Sequence, residues 1–194
     1  MIILEKDLQR CFSLVATVCE AYEAKQLARH NVRSVDALVE MATEIAGRPV
    51  DVLYLDEDAD ERHVKGMCVI RQDRCDVVIL KGLNTCWHRF VLCKELFHAF
   101  LDCDEYRNMD LESHLESMFA LFQVDPQDTD QTTNVEIIAE LAAMEFLFPY
   151  RARLACIDAG KSFEAMAQQY RVPLQLLVRY LTPQNMDSLA QFCR

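Results

Sequence analysis

One segment of the chain is predicted to form a helix that is apolar on nearly every side. From Trp87 to Leu101 hydrophobic side chains recur over most of the helical circumference, and Asn84 or Thr85 can cap the start. A helix without a wide polar face does not suit a surface, because water would meet its apolar side chains. We therefore expect this segment, the motif helix, to be central and buried.

Composition favours helices in the rest of the chain as well. The 194 residues are 52% hydrophobic and include only 4 Gly and 5 Pro. Gly and Pro are the residues that interrupt helices, and so apolar a chain is not disordered. The length suits one hydrophobic core, so we predict a single domain over residues 1–194. Its parts are an N-terminal helix in 1–33, a core in 34–150 and C-terminal helices in 151–194.

Local patterns predict the order of the elements. Apolar residues at helical spacing indicate a long amphipathic helix over 4–30, and Ser34 is a suitable N-cap for a second helix that ends at Gly47. Three short extended runs follow, and they predict a small three-stranded antiparallel sheet that packs on the motif helix. The runs are 50–55, 66–71 and 75–80, and further helical patterns occupy 111–122, 135–147, 152–159, 163–170 and 173–181. The predicted fold class is therefore α+β and mostly helical.

The charge of the chain argues against nucleic acid as a direct partner. The formal net charge is −11, whereas affinity for DNA depends on Lys and Arg side chains that neutralise phosphates. Residues 168–181 resemble a DNA-reading pair of helices in pattern, but only Arg171 and Arg179 are basic there. We expect a basic protein partner instead. The acidic runs at 56–61 and 102–116 are interpreted as solvated surface.

The sequence also predicts a cytoplasmic protein. No apolar run approaches the roughly 18 residues that span a bilayer, and charges at Glu5, Lys6, Asp7 and Arg10 replace an apolar secretory segment. The nine cysteines are scattered, odd in number and without a C-x-x-C pair. We interpret them as reduced thiols, most of them in the core.

Chemically informative residues lie in the middle of the motif helix, at Lys94, Glu95 and His98. In an H-E-x-x-H helix, two histidines at i and i+4 grip zinc while the glutamate beside the first acts as the general base. The corresponding residues here read K-E-L-F-H. The fragment E-x-x-H is common by chance, and a single histidine on an apolar helix is more often a core residue than a metal ligand.

The flanking residues add a family resemblance. Residues 89–101, R-F-V-L-C-K-E-L-F-H-A-F-L, resemble the R-F-x-L-A-H-E-L-G-H-A-L-L signature of the ImmA/IrrE zinc metallopeptidases. Residues 136–149, E-I-I-A-E-L-A-A-M-E-F-L-F-P, are similar to the second motif of that family, E-x-x-A-N-x-F-A-A-x-L-L-M-P. The resemblance covers roughly residues 34–182, including a tail segment at 163–173. It implies a zincin-like core, Glu95 as general base, and His98 and Glu136 as zinc ligands.

Three residues depart from the family pattern. Lys94 stands in place of the first histidine ligand, Phe97 in place of a glycine, and Glu140 in place of an asparagine. The lysine matters most, because an ammonium group has three donors and no lone pair for a metal. Catalytic zinc normally keeps three protein ligands, so we expect no zinc or weakly bound zinc.

Two interpretations of Lys94 remain open at this stage. Its ammonium group can occupy the site and pair with Glu95 and Glu136, as a substitute for the metal charge, or the side chain can extend to solvent. A replacement zinc ligand is a further alternative. The candidates are Asp102, one turn beyond His98, and His63 and His114, whose positions the sequence does not fix.

Three hypotheses for function follow. The first is a zinc-dependent endopeptidase that cleaves a repressor-type protein, as members of the resembled family do in phage, mobile-element and stress regulation. The second is a non-catalytic relative that binds a protein partner or peptide, such as a basic DNA-binding regulator. The third is a helical interaction module with an accidental motif match. Position 94 distinguishes the first two, because loss of a metal ligand usually removes activity.

Overall fold

The computed structural model describes residues 5–25, 32–56, 65–101 and 131–193. These ranges contain eight helices and one three-stranded sheet, so the predicted α+β, mostly helical class is confirmed. In chain order the elements are α1 (Glu5–Ala24), α2 (Val35–Ala46), β1 (Val50–Leu55), β2 (Gly66–Ile70), β3 (Cys75–Leu80), α3 (Thr85–Phe100), α4 (Gln131–Leu147), α5 (Tyr150–Asp158), α6 (Phe163–Tyr170), α7 (Leu174–Tyr180) and α8 (Pro183–Leu189). The amphipathic pattern at 111–122 lies outside the described residues.

Capping residues set the ends of the helices that surround the site. The Ser34 side chain accepts a hydrogen bond from the Ala37 N–H, as predicted, and α2 ends at Gly47 with a φ of +67°. Asn84 caps α3 by accepting a hydrogen bond from the Trp87 N–H. These side chains and the left-handed glycine satisfy backbone groups that a helix end leaves without partners.

The motif helix α3 is the centre of the core, as its apolar circumference predicts. One side of α3 packs on the sheet, where Val77 and Ile79 of β3 are fully buried, and other sides pack on α2 and α4. Gly66 of β2 lies so close that an added Cβ would be 2.6 Å from Cγ1 of Val91. Glycine at this position therefore allows β2 to approach the motif helix.

The sheet is mixed, which corrects the prediction of a wholly antiparallel sheet. The strand order is β1-β3-β2, with β2 antiparallel to β3 and β1 parallel to β3. The tight turn between β2 and β3, closed by the Arg71 N–H bond to the Arg74 carbonyl, forces antiparallel pairing. The connection 56–65 between β1 and β2 is longer, so β1 is free to lie on the far side of β3.

The flanking helices complete the core. On α1 the buried face includes Cys11, Val15, Val18 and Tyr22, and this face packs on α4. The structure confirms an amphipathic N-terminal helix, which ends at Ala24 in the described residues. Within the described ranges, no helix has both the length and the apolar composition needed to cross a membrane.

Candidate functional site

Four charged or titratable side chains meet where α3 packs on α4. Lys94, Glu95 and His98 come from α3 and Glu136 comes from α4; we call these four residues the charge cluster. Residues 94 and 98 share one face of α3 because they are one turn apart. The side chains of Glu95 and Glu136 are only 2% and 8% exposed. The structure thus brings together every residue that the sequence assigns to the site.

Lys94 forms the predicted internal ion pair. Its Nζ donates a hydrogen bond to Oε2 of Glu136 over 2.7 Å and lies 3.1 Å from Oε1 of Glu95. The lysine side chain is only 14% exposed, so the alternative in which it extends to solvent is wrong. A buried ammonium group between two buried carboxylates is the arrangement that offsets their desolvation.

His98 supplies the second positively charged contact of the cluster when it is protonated. Its Nε2 lies 3.2 Å from Oε1 of Glu136 and 4.0 Å from Oε2 of Glu95. Within the described part of the chain, neither this Nε2 nor Oε1 of Glu95 has a partner in good hydrogen-bond geometry. These two atoms are therefore held in the cluster by charge attraction and not by well-aligned hydrogen bonds.

The pKa values follow from these contacts. Burial alone would lower the pKa of Lys94, but the attraction of Glu95 and Glu136 outweighs burial and raises it. Burial also opposes protonation of His98, yet the neighbouring Glu136 raises the pKa of this imidazole. Burial would raise the pKa of Glu136, and the charges of His98 and Lys94 lower it instead. With His98 protonated, two cations face two carboxylates.

The charge cluster does not fit zinc held by three protein ligands. His98 and Glu136 offer a nitrogen and an oxygen, but Lys94 presents an ammonium group that has no lone pair. In the ranges that the structure covers, no group of three or more His, Cys, Asp or Glu side chains is arranged to hold a metal ion. Asp102, His63 and His114, the candidate replacement ligands, lie outside the described residues.

The other two residues that depart from the resembled pattern, Phe97 and Glu140, make contacts outside the charge cluster. The Phe97 ring is fully buried and packs edge to face on Phe100 and Phe146, at centroid distances of 5.5 and 6.0 Å. Glu140 accepts a hydrogen bond of 2.5 Å from the Tyr180 hydroxyl and forms an ion pair with Arg179. These residues connect the site helices to the core and to α7.

A second buried ion pair was not predicted from the sequence. Arg153 of α5 is almost fully buried and pairs with Glu145 of α4, whose carboxylate also accepts the Tyr150 N–H over 2.9 Å. Burial raises the pKa of Glu145 despite the attraction of Arg153. The only sequence signal is a glutamate four residues before Pro149, where a helix must end. This pair joins α4 to α5 and lies outside the charge cluster.

Comparisons with known proteins leave the family open. The chain matches no family model and no curated protein. Among solved structures it is similar to a Mycobacterium tuberculosis transcriptional regulator, with 14% sequence identity and a TM-score of 0.49. The match covers 93% of this chain and 54% of that one, so this chain spans about half the length of the regulator. So distant a likeness assigns neither a fold family nor a function.

Proposed function

We propose that this chain is a non-catalytic relative of the ImmA/IrrE metallopeptidases that acts by binding a protein partner, such as a regulator. The observation that carries the proposal is the position of the Lys94 ammonium group, 2.7 Å from Glu136 and 3.1 Å from Glu95. In the resembled family the equivalent of this lysine is a histidine that binds zinc. A cation that belongs to the chain itself occupies the place of the catalytic ion.

The roles that the resemblance assigns to the two glutamates are changed by this lysine. Glu95, the expected general base, contacts an ammonium group, and Glu136, the expected ligand, accepts a hydrogen bond from it. A hydrolytic site of this type needs a Lewis acid to activate water, and an ammonium group cannot serve as one. The site balances its charges without acquiring this chemistry.

A protein partner suits the charge of the chain better than nucleic acid does. The formal net charge of −11 favours a basic partner, such as a DNA-binding regulator, through electrostatic attraction. Of the two arginines in residues 168–181, Arg179 forms an ion pair with Glu140, so its charge is partly balanced within the chain. A cytoplasmic location belongs to the same proposal, because scattered cysteines, odd in number and without a C-x-x-C pair, suit a reducing compartment.

One distance favours a second candidate, an active zinc-dependent endopeptidase that cleaves a repressor-type protein. Nε2 of His98 and Oε1 of Glu136 are 3.2 Å apart. Two ligands on one tetrahedral zinc ion lie roughly 3.3 Å apart, given bond lengths of about 2.0 Å. In this alternative the third ligand would be Asp102, His63 or His114, and Lys94 would have to move aside.

Capture of a partner followed by analysis of its integrity separates the two functions. The 194-residue chain and its Glu95→Gln variant, which has no general base, would each be cross-linked to proteins in cells of the source organism. We expect both to retain the same partner at full length, as judged by mass spectrometry. If the parent chain yields a cleaved partner and Glu95→Gln an intact one, the non-catalytic proposal is wrong. Retention of no protein by either chain contradicts the binding function.

A further inference from the structure

One of the two edges of the sheet is formed by an apolar strand, β1. Because the strand order among the described residues is β1-β3-β2, β1 has a strand neighbour on one side only in this part of the chain. Three consecutive large apolar residues of β1 are about half exposed: Leu53 at 48%, Tyr54 at 47% and Leu55 at 49%. Edge strands are commonly protected by Lys or Pro within the strand, and β1 contains neither.

The backbone groups of β1 alternate between its neighbour and the open edge. The carbonyls of Pro49 and Leu55 accept hydrogen bonds from β3 and from the residue after it, so odd-numbered residues face β3. Even-numbered residues face outward, and the Val50 N–H accordingly donates to the Thr43 hydroxyl over 3.2 Å. The backbone groups of Val52 and Tyr54 therefore point to the open edge.

We propose that this edge pairs with the same edge of a second copy of the chain, antiparallel, with Val52 on the two-fold axis. Val52 then lies opposite Val52 of the second copy, and Val50 lies opposite Tyr54. All these residues are even-numbered, so their N–H and C=O groups face each other as antiparallel pairing requires. The Val50 N–H exchanges its exposed bond to Thr43 for the Tyr54 carbonyl of the second copy. The two sheets become one sheet of six strands.

The charges of the strand make this register self-complementary. Arg48, before β1, falls opposite Asp56 of the second copy, and the two-fold axis produces this contact twice. In the single chain the Arg48 guanidinium donates to the Arg71 carbonyl over 3.2 Å at the surface, and this bond is exchanged for the contact with Asp56. Asp51 falls opposite Leu53, so no like charges face each other across the pairing. In the single chain Asp56 forms an exposed ion pair with Lys81, and its side chain is 86% exposed, which leaves it accessible to the second copy. A foreign strand would need the same order of charges, and a second copy has it by symmetry.

A charge exchange tests the register. We would measure the dimer dissociation constant of the full chain by sedimentation equilibrium for Arg48→Glu, Asp56→Lys and the double variant. Each single change places like charges opposite each other twice and should weaken the dimer by about tenfold, which corresponds to 1.4 kcal/mol. The double variant restores opposite charges and should recover the parent value. Arg151→Glu and Asp158→Lys, exposed on α5, are matched controls for net charge and should change nothing.

Amide hydrogen exchange gives a second measurement that does not depend on variants. In the single chain the Leu53 N–H is held by β3, whereas the N–H groups of Val52 and Tyr54 are open. We expect protection of Val52 and Tyr54 to rise with protein concentration while Leu53 stays protected throughout. A chain that sediments as a monomer at every concentration overturns the proposal and leaves the edge to another partner. A dimer that is indifferent to both single variants also overturns it, because another surface then forms the contact.

Discussion

Lys94 and Glu136 are 42 residues apart in the sequence and 2.7 Å apart in the structure, where a hydrogen-bonded ion pair joins α3 to α4. Both side chains are largely buried, so each charge depends on the other for compensation. Glu95 and His98 extend the pair into a cluster in which cations and carboxylates balance. The position of the ammonium group makes the charge cluster a structural element of the core.

The first prediction concerns metal content. Protein purified without a chelator should contain well under one equivalent of zinc, because the ammonium group of Lys94 offers no lone pair and repels a cation. Elemental analysis of the 194-residue chain, with zinc present during expression, measures this content. One equivalent of zinc would contradict the proposed function and would support an endopeptidase with Asp102, His63 or His114 as a ligand.

The second prediction concerns recovery of a metal site. Lys94→His should bind zinc, since His98 and Glu136 already stand at a separation that suits two ligands of one ion. The Phe97 ring packs in the core against Phe146 and should not crowd the metal. Titration calorimetry measures the affinity, and Lys94→Gln, which removes the charge without adding an imidazole, is the control. If Lys94→His folds but binds zinc no better than Lys94→Gln, the assignment of Glu136 as a ligand is wrong.

Sequence reasoning identified the charge cluster because its members lie in two recognisable motifs. The spacing of Lys94 and His98 places them on one face of a helix, and the second motif supplies Glu136. The contacts of Glu140 with Tyr180, and of Glu145 with Arg153, carry no comparable signal. The first joins residues 40 positions apart and the second crosses the bend at Pro149, so no helical periodicity encodes which side chains meet there.

The fold shows a similar division between local and long-range features. Burial of α3 and the cap at Ser34 follow from periodicity and from the hydrogen-bonding capacity of a serine side chain. The direction of β1 could not be derived in this way. A turn of a few residues determines the pairing of β2 with β3, whereas the connection 56–65 permits β1 on either side of the pair.

The third prediction tests the contact between sheet and motif helix. Gly66→Ala should destabilise the protein by about 1–3 kcal/mol, because the new Cβ would lie 2.6 Å from Cγ1 of Val91. Chemical denaturation measures the free energy of unfolding. Val91→Ala removes the methyl group in conflict, so the double variant should lose less than the sum of the two single losses. Strict additivity would indicate that β2 does not approach α3 at this point.

The fourth prediction concerns the pH dependence of stability. The neighbouring Glu136 raises the pKa of His98 in the folded state. The stability that His98 contributes is therefore complete below its unfolded-state pKa of about 6.5, and it is lost as pH rises through its folded-state pKa. The pKa of Glu136 is lowered, so its contribution is present above about pH 4.3 and is lost as pH falls toward its folded value. The charge cluster should therefore stabilise the fold most between these two limits.

Measurement of the free energy of unfolding against pH in two variants shows which residue causes the acid limb of the profile and which causes the alkaline limb. His98→Gln keeps an N–H donor that does not titrate and should flatten the alkaline limb. Glu136→Gln should flatten the acid limb, although Asp76, whose pKa is lowered by Arg71 and Arg74, will still contribute there. A profile that keeps its alkaline slope in His98→Gln would show that another group is responsible.

The last prediction concerns coupling inside the charge cluster. Glu136→Ala leaves the Lys94 ammonium group with a single carboxylate in a buried site, and breaking a buried pair from one side typically costs about 3–5 kcal/mol. Lys94→Met combined with Glu136→Leu removes both charges and should recover much of that loss. The exposed pair of Lys25 and Glu44 is the matched control, since Glu44→Ala should cost only about 0–1 kcal/mol.

A double-mutant cycle on positions 94 and 136, measured by chemical denaturation, isolates the coupling energy. Glu95 also contacts Lys94, at 3.1 Å, and can hold part of the charge after Glu136 is removed. The cycle should therefore be repeated in a Glu95→Gln background, where the coupling of Lys94 to Glu136 should increase. Coupling below about 0.5 kcal/mol for both glutamates would mean that the lysine does not replace a metal ion as the charge that holds the site together.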